Sequence, residues 1–94
     1  MTWYNLTPAE YAKGLRYNAD RQDECARRKD DEGKPWSAHD AARSRRQARR
    51  LRAMAKLCDL SQEERAGKVD FRRLHDPTVP IEEEDRVVAE IEAL

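Results

Sequence analysis

The chain has 94 residues, of which 40% are charged, and its 19 lysines and arginines are balanced by 19 aspartates and glutamates. This length allows one domain at most, and 14 Leu, Ile, Val and Phe residues allow only a thin core. No apolar run approaches the roughly 18 residues of a membrane span, and the N-terminus has no signal-peptide pattern. We therefore expect one cytoplasmic domain over 1–94 without membrane contact.

A first helix is predicted over 8–31. Thr7 can cap its N-terminus, Pro8 suits the first helical position, and Glu10 can complete a capping box. Small, apolar and amide side chains then recur every three or four positions, which places them in one narrow seam along the helix. Its members that we expect to pack are Tyr11, Leu15, Ala19 and Gln22.

Two residues of this helix depart from the seam pattern. Gly14 lowers helix stability by roughly 0.8 to 1 kcal/mol relative to Ala unless a close neighbour needs the space. Tyr17 lies about 140° from the seam, on the charged side of the helix. We expect Tyr17 to be exposed and to contact a partner, because Tyr is common among the residues that dominate protein interfaces.

The second helix is predicted over 38–59. Gly33 can end the first helix, and the proline two residues later cannot continue it. Ser37, with Asp40 three residues on, forms a variant of the capping box that starts the new helix. The second helix contributes four further members of the seam, which are Gln47, Leu51, Met54 and Cys58.

Two long helices joined by about five residues fold back most simply as an antiparallel hairpin, similar to a coiled coil. This arrangement places Gln22 opposite Gln47 in a polar layer that sets the register of the two helices. Cys25 and Cys58 then lie toward opposite ends of the hairpin. We expect both cysteines to be buried free thiols, as in a reducing compartment.

The remaining chain is predicted to form a short helical element over 61–75 and a terminal helix over 81–94. The terminal helix is acidic and amphipathic, with its apolar residues on one side and carboxylates over most of the rest. The predicted fold class is therefore all-α: a long antiparallel helical hairpin, a short third helix and a C-terminal acidic amphipathic helix.

The sequence contains little that predicts catalysis. His39 and His75 are far apart in the chain, neither cysteine stands in a nucleophile signature, and the glycines are isolated. We therefore expect a protein that is not an enzyme and that binds no metal and no cofactor.

The strongest functional signal is a run of seven basic residues without a single acid, which we call the basic stripe. The basic stripe consists of Arg43, Arg45, Arg46, Arg49, Arg50, Arg52 and Lys56. We expect it on the side of the second helix opposite the seam. Like charges at i,i+4 repel each other, so an acidic counterpart is expected. It can be nucleic acid, a partner protein, or the chain's own acidic residues 81–94.

Part of the basic stripe has a counterpart in viral proteins. The sequence Arg46-Gln47-Ala48-Arg49-Arg50 resembles the arginine-rich helical motifs that viral RNA-binding proteins place in a widened RNA major groove. The resemblance implies RNA or DNA binding through these arginines. No aromatic residue alternates with them, so base stacking is not supported, and the zero net charge of the chain also weighs against this function.

We therefore expect a non-enzymatic helical module for protein–protein interaction. It either self-associates, for example as a homodimer, or docks on a cellular protein as a small adaptor or inhibitor, or does both. The basic stripe and Tyr17 are its expected partner-binding residues. Phage-encoded accessory proteins that modify a host protein often have this size and composition, which is an analogy only. RNA or DNA binding by the arginine-rich helix is the alternative.

Overall fold

The computed structural model of the chain describes residues 7–60 and 78–94, which form three α-helices. They are α1 (Pro8–Glu32), α2 (Ser37–Asp59) and α3 (Ile81–Glu92). The regular structure in these two ranges is entirely helical, which confirms the predicted all-α class. The helical element predicted over 61–75 lies outside the described residues.

Both ends of α1 follow from local interactions that the sequence predicts. The Thr7 hydroxyl oxygen accepts a hydrogen bond from the Glu10 backbone nitrogen at 3.1 Å and donates one to Glu10 Oε1 at 3.0 Å. Gly33 ends the helix with a φ of 68°, in the left-handed region that a residue without Cβ adopts at low cost.

The start of α2 differs from the prediction. Ser37 is 2% exposed, and its hydroxyl accepts a hydrogen bond from the Lys34 backbone nitrogen at 3.2 Å. The Asp40 backbone nitrogen instead donates to the Trp36 carbonyl oxygen at 3.2 Å, and no side chain caps α2. The predicted capping box was wrong, because the short turn directs the Ser37 hydroxyl to the turn's own backbone.

Ion pairs along one side establish how α1 and α2 run. Arg16, early in α1, pairs with Asp59 at the end of α2, and Asp30, late in α1, pairs with Arg45 near the start of α2. The two helices therefore pack as an antiparallel hairpin, as predicted.

The apolar cluster of the core lies at the end of the hairpin opposite the turn, where all three helices meet. Its side chains are buried in the contact of α1, α2 and α3, and Leu57 and Ile91 are the largest that are completely buried. The members of the cluster are Ala12, Leu15, Ala53, Met54, Ala55, Leu57, Val87, Val88 and Ile91.

Toward the turn, the contact between α1 and α2 depends on alanine. Four alanines outside the apolar cluster are completely buried, which are Ala19, Ala26, Ala41 and Ala48. Small side chains allow the helix axes to approach closely, but each one buries little apolar area. This half of the hairpin therefore contributes less hydrophobic stabilisation than the half opposite the turn.

Every residue predicted for the seam is buried or half-buried. Gln22 and Gln47 border the same open cavity of about 530 Å³ between the two helices. Leu15, Ala19 and Met54 are buried. The half-buried members are Tyr11, Gln22, Gln47, Leu51 and Cys58.

The two cysteines have different environments. Cys58 is half-buried and packs against the apolar cluster, whereas Cys25 is exposed, and both are free thiols. The prediction of a buried Cys25 was wrong. The neighbouring Ala26 occupies the buried position, and one residue corresponds to about 100° around a helix.

Candidate functional site: the basic stripe and Tyr17

A second buried row on α2 divides the basic stripe. Ala53 and Leu57 are each 2% exposed, although both lie away from the predicted seam. They continue, at helical spacing, a row that includes Arg46 and Arg50. The expectation that basic and apolar residues occupy opposite sides of α2 was therefore wrong. The three- and four-residue spacing from Arg46 to Leu57 is the signal that could have revealed this row.

The arginine end of this row contacts the first turns of α3. Arg46 Nε lies 3.1 Å from Asp85 Oδ1, and its Nη2 lies 3.6 Å from Glu84 Oε1 and 3.4 Å from the Ile81 carbonyl oxygen. Arg50 Nε lies 3.6 Å from the same Glu84 oxygen. One glutamate thus links two consecutive arginines of α2.

The last residue of α3 is held by two further members of the basic stripe. Arg49 donates to both carboxylate oxygens of Glu92, and Lys56 Nζ donates to the Glu92 backbone carbonyl oxygen at 2.8 Å. A cation at a helix C-terminus also interacts favourably with the helix dipole. The hydrogen bonds from Arg49 lower the pKa of Glu92, and the Glu92 carboxylate raises the pKa of Arg49.

Two other members face α1 instead. Arg52 Nη2 lies 2.6 Å from Asp23 Oδ2 and 2.9 Å from Asp20 Oδ1, and hydrogen bonds to Asp23 and then Asp20 raise the pKa of Arg52. Arg45 pairs with Asp30. The basic stripe therefore has two sides, one contacting α1 and one contacting α3.

Arg43 is the exception. It is exposed and forms no ion pair with any residue of 7–60 or 78–94. It borders the open cavity of about 530 Å³ and also a second depression of about 410 Å³ at the start of α3.

Tyr17 lies on the outer surface of α1. Its exposed fraction is 62%. The Arg21 guanidinium carbon lies 5.9 Å from the ring centroid, within the distance of a cation–π contact. Tyr17 and Arg21 therefore form an adjacent aromatic and cationic pair on this face.

Within the two described ranges, no group of three or more His, Cys, Asp or Glu side chains is arranged to hold a metal ion. None of α1, α2 and α3 combines the length and apolar character needed to cross a membrane.

Comparisons with known protein families, with curated proteins and with solved structures found no significant match to this chain.

Proposed function

We propose that the chain is a non-enzymatic protein-binding module, which docks on a cellular protein as a small adaptor or inhibitor and also associates with itself. The observation that carries this proposal is the pairing of the basic stripe. Six of its seven cations contact carboxylate or carbonyl oxygens of the same chain. Cations paired in this way are already neutralised within the chain, which supports protein binding over an unoccupied phosphate site.

The same pairing disfavours nucleic acid. A phosphate that approached Arg46 or Arg49 would have to displace a carboxylate of α3 and would be repelled by its neighbours. The gain from counterion release would be reduced, since these arginines are already neutralised by the chain itself. We therefore expect the intact chain to bind RNA and DNA weakly.

The exposed face of α1 supports docking on a protein. Tyr17 is largely exposed and lies beside Arg21, and Tyr and Arg are enriched among the residues that contribute most to protein–protein affinity. The ring loses little conformational freedom on binding, because it has only two rotatable bonds.

The composition of the core supports self-association. Among the described residues, six buried apolar side chains are larger than Ala: Leu15, Met54, Leu57, Val87, Val88 and Ile91. Six such side chains make a thin core for a chain of 94 residues, and small domains bury a smaller fraction of their surface than large ones. Burial of further surface in a homodimer would supply part of the missing stabilisation.

Affinity capture with matched variants tests the docking function. The full-length chain, Tyr17→Ala and the control Asn18→Ala are immobilised and exposed to a nuclease-treated bacterial extract. We expect one specific protein to be retained by the wild type and by Asn18→Ala, and lost with Tyr17→Ala. Asn18 is a suitable control because it is an exposed neighbour on the same helix.

Nucleic-acid binding is measured in parallel by fluorescence anisotropy with a labelled RNA hairpin and a DNA duplex at increasing salt. Sub-micromolar, salt-sensitive binding by the intact chain, together with capture of protein only from a parallel extract that has not been treated with nuclease, would overturn the proposal. It would favour the arginine-rich nucleic-acid-binding alternative instead.

A further inference from the structure

One row of α2 extends beyond the part that α3 contacts. The row consists of His39, Arg43, Arg46, Arg50, Ala53 and Leu57, which alternate at spacings of four and three residues and so share one face of the helix. α3 begins at Ile81, whose carbonyl oxygen contacts Arg46, and α3 ends at Glu92 near Lys56. The N-terminal part of the row lies before Arg46 in the sequence, outside the part of α2 that α3 contacts. We call this N-terminal part of the row, His39 and Arg43, together with the adjacent Ala42, the open end of the row.

The open end borders the depression of about 410 Å³, whose other walls are Arg46 and Ile81. Ala42 and Ile81 supply apolar surface, and Ile81 is 56% exposed although it is a large aliphatic residue. Arg43 supplies a guanidinium that forms no ion pair in the described part of the chain. A ligand at this position would meet an apolar surface beside the Arg43 guanidinium.

The occupied part of the row shows which chemistry this face of α2 binds. There, α3 places Glu84 and Asp85 against arginines of the row and buries Val87, Val88 and Ile91 in the cluster that contains Ala53 and Leu57. The occupant is thus an acidic amphipathic helix. The open end repeats this combination of cationic and small residues, one helical turn closer to the N-terminus of α2.

We propose that the open end of the row binds an acidic amphipathic helix of the partner protein. One carboxylate of that helix pairs with Arg43, and one apolar side chain enters the depression over Ala42 and Ile81. This inference rests on the proposed protein-binding function and names the surface and the chemistry of the partner. Charge complementarity and continuity with the α3 contact carry it.

A labelled peptide tests the inference on the full-length chain. The probe is a fluorescein-labelled peptide with the sequence of residues 81–94, and binding is followed by fluorescence anisotropy. We expect saturable binding that Arg43→Glu and Ala42→Glu each weaken by about tenfold or more, a change typical of a central interface residue. The control Arg27→Glu, which makes the same charge change on an exposed position of α1, should bind within about twofold of the wild type.

Several results would overturn the inference. Unchanged affinity in Arg43→Glu would mean that the peptide exchanges with α3 or binds elsewhere. If Arg43→Glu and Arg27→Glu lose affinity for the peptide equally, or if a scrambled peptide binds equally well, net charge alone would explain the binding. Competition by an RNA hairpin that depends on Arg43 would assign the open end to phosphate. A dimer in sedimentation equilibrium that Arg43→Glu abolishes would assign it to a second copy.

The outcome can be separated from that of the proposed function. If Tyr17-dependent capture of a protein persists while the peptide result fails, the docking function stands and only the partner surface is wrong. If capture also fails, both are wrong.

Discussion

Arg49 and Glu92, which are far apart in the sequence, form a forked ion pair that joins the middle of α2 to the last residue of α3. Arg49 Nη2 lies 2.6 Å from Glu92 Oε1, and Arg49 Nε lies 3.1 Å from each carboxylate oxygen. Two parallel N–H···O contacts add directional specificity to the charge attraction. This pair is one of the contacts through which the basic stripe positions α3.

Glu92 makes the stability of the fold depend on pH in the acid range. Because Arg49 lowers the pKa of Glu92 in the folded chain, the pair stabilises the fold above the unfolded-state pKa of about 4.3 and loses this effect as pH falls through the folded value. The free energy of unfolding, measured with urea, should therefore fall less between about pH 5 and pH 3 in Glu92→Gln than in the wild type. Equal decreases in the two proteins would contradict this role.

The buried row on α2 predicts a large effect of Leu57→Ala. Leu57 is 2% exposed and lies in the cluster shared with α3, so its truncation should lower the free energy of unfolding by about 2 to 5 kcal/mol. Leu51→Ala is the matched control, because Leu51 is only half-buried and should lose less. Urea denaturation measures both losses. A larger loss for Leu51→Ala than for Leu57→Ala would contradict the packing of α3 against the Leu57 face of α2.

The space around Gly14 predicts a stabilising substitution. A Cβ added at Gly14 would have no heavy atom within 4 Å, so Gly14→Ala should raise the free energy of unfolding by about 0.8 to 1 kcal/mol through helix propensity. Gly33→Ala should have the opposite effect and lower the free energy of unfolding. Its φ of 68° is unfavourable for a residue with Cβ, and a loss of roughly 1 to 2 kcal/mol is expected. Thermal unfolding followed by circular dichroism distinguishes the two signs.

Neutralising the acids of α3 should reveal the phosphate affinity that they suppress. In the triple variant Glu84→Gln, Asp85→Asn and Glu92→Gln, the contacting arginines lose their carboxylates while the apolar residues of α3 remain. We expect RNA affinity to appear, with log K falling by about 0.7 to 0.9 per phosphate contact for each tenfold rise in salt. Anisotropy with a labelled RNA hairpin measures this affinity.

The control for that experiment neutralises three exposed acids of α1 that do not contact the basic stripe. Glu10→Gln, Glu24→Gln and Asp31→Asn change the net charge equally. If this control gains the same RNA affinity, net charge rather than release of the arginines is responsible.

The sequence alone determined the features that depend on neighbouring residues. Thr7 and Gly33 set the ends of α1 through interactions within one turn, and the three- and four-residue periodicity located side chains such as Leu15 and Met54 that are buried. It also predicted the exposure of Tyr17, because an angular position around a single helix follows from residue number.

Only the tertiary structure decided which acids meet each arginine. Arg45 and Arg46 are adjacent in the sequence, yet one pairs with α1 and the other with α3. Periodicity predicts the direction in which a side chain projects from its helix, but it does not predict which other helix lies on that side. That depends on the packing of segments distant in the chain, and burial of Ala53 and Leu57 against α3 contributes to it through apolar contact rather than charge.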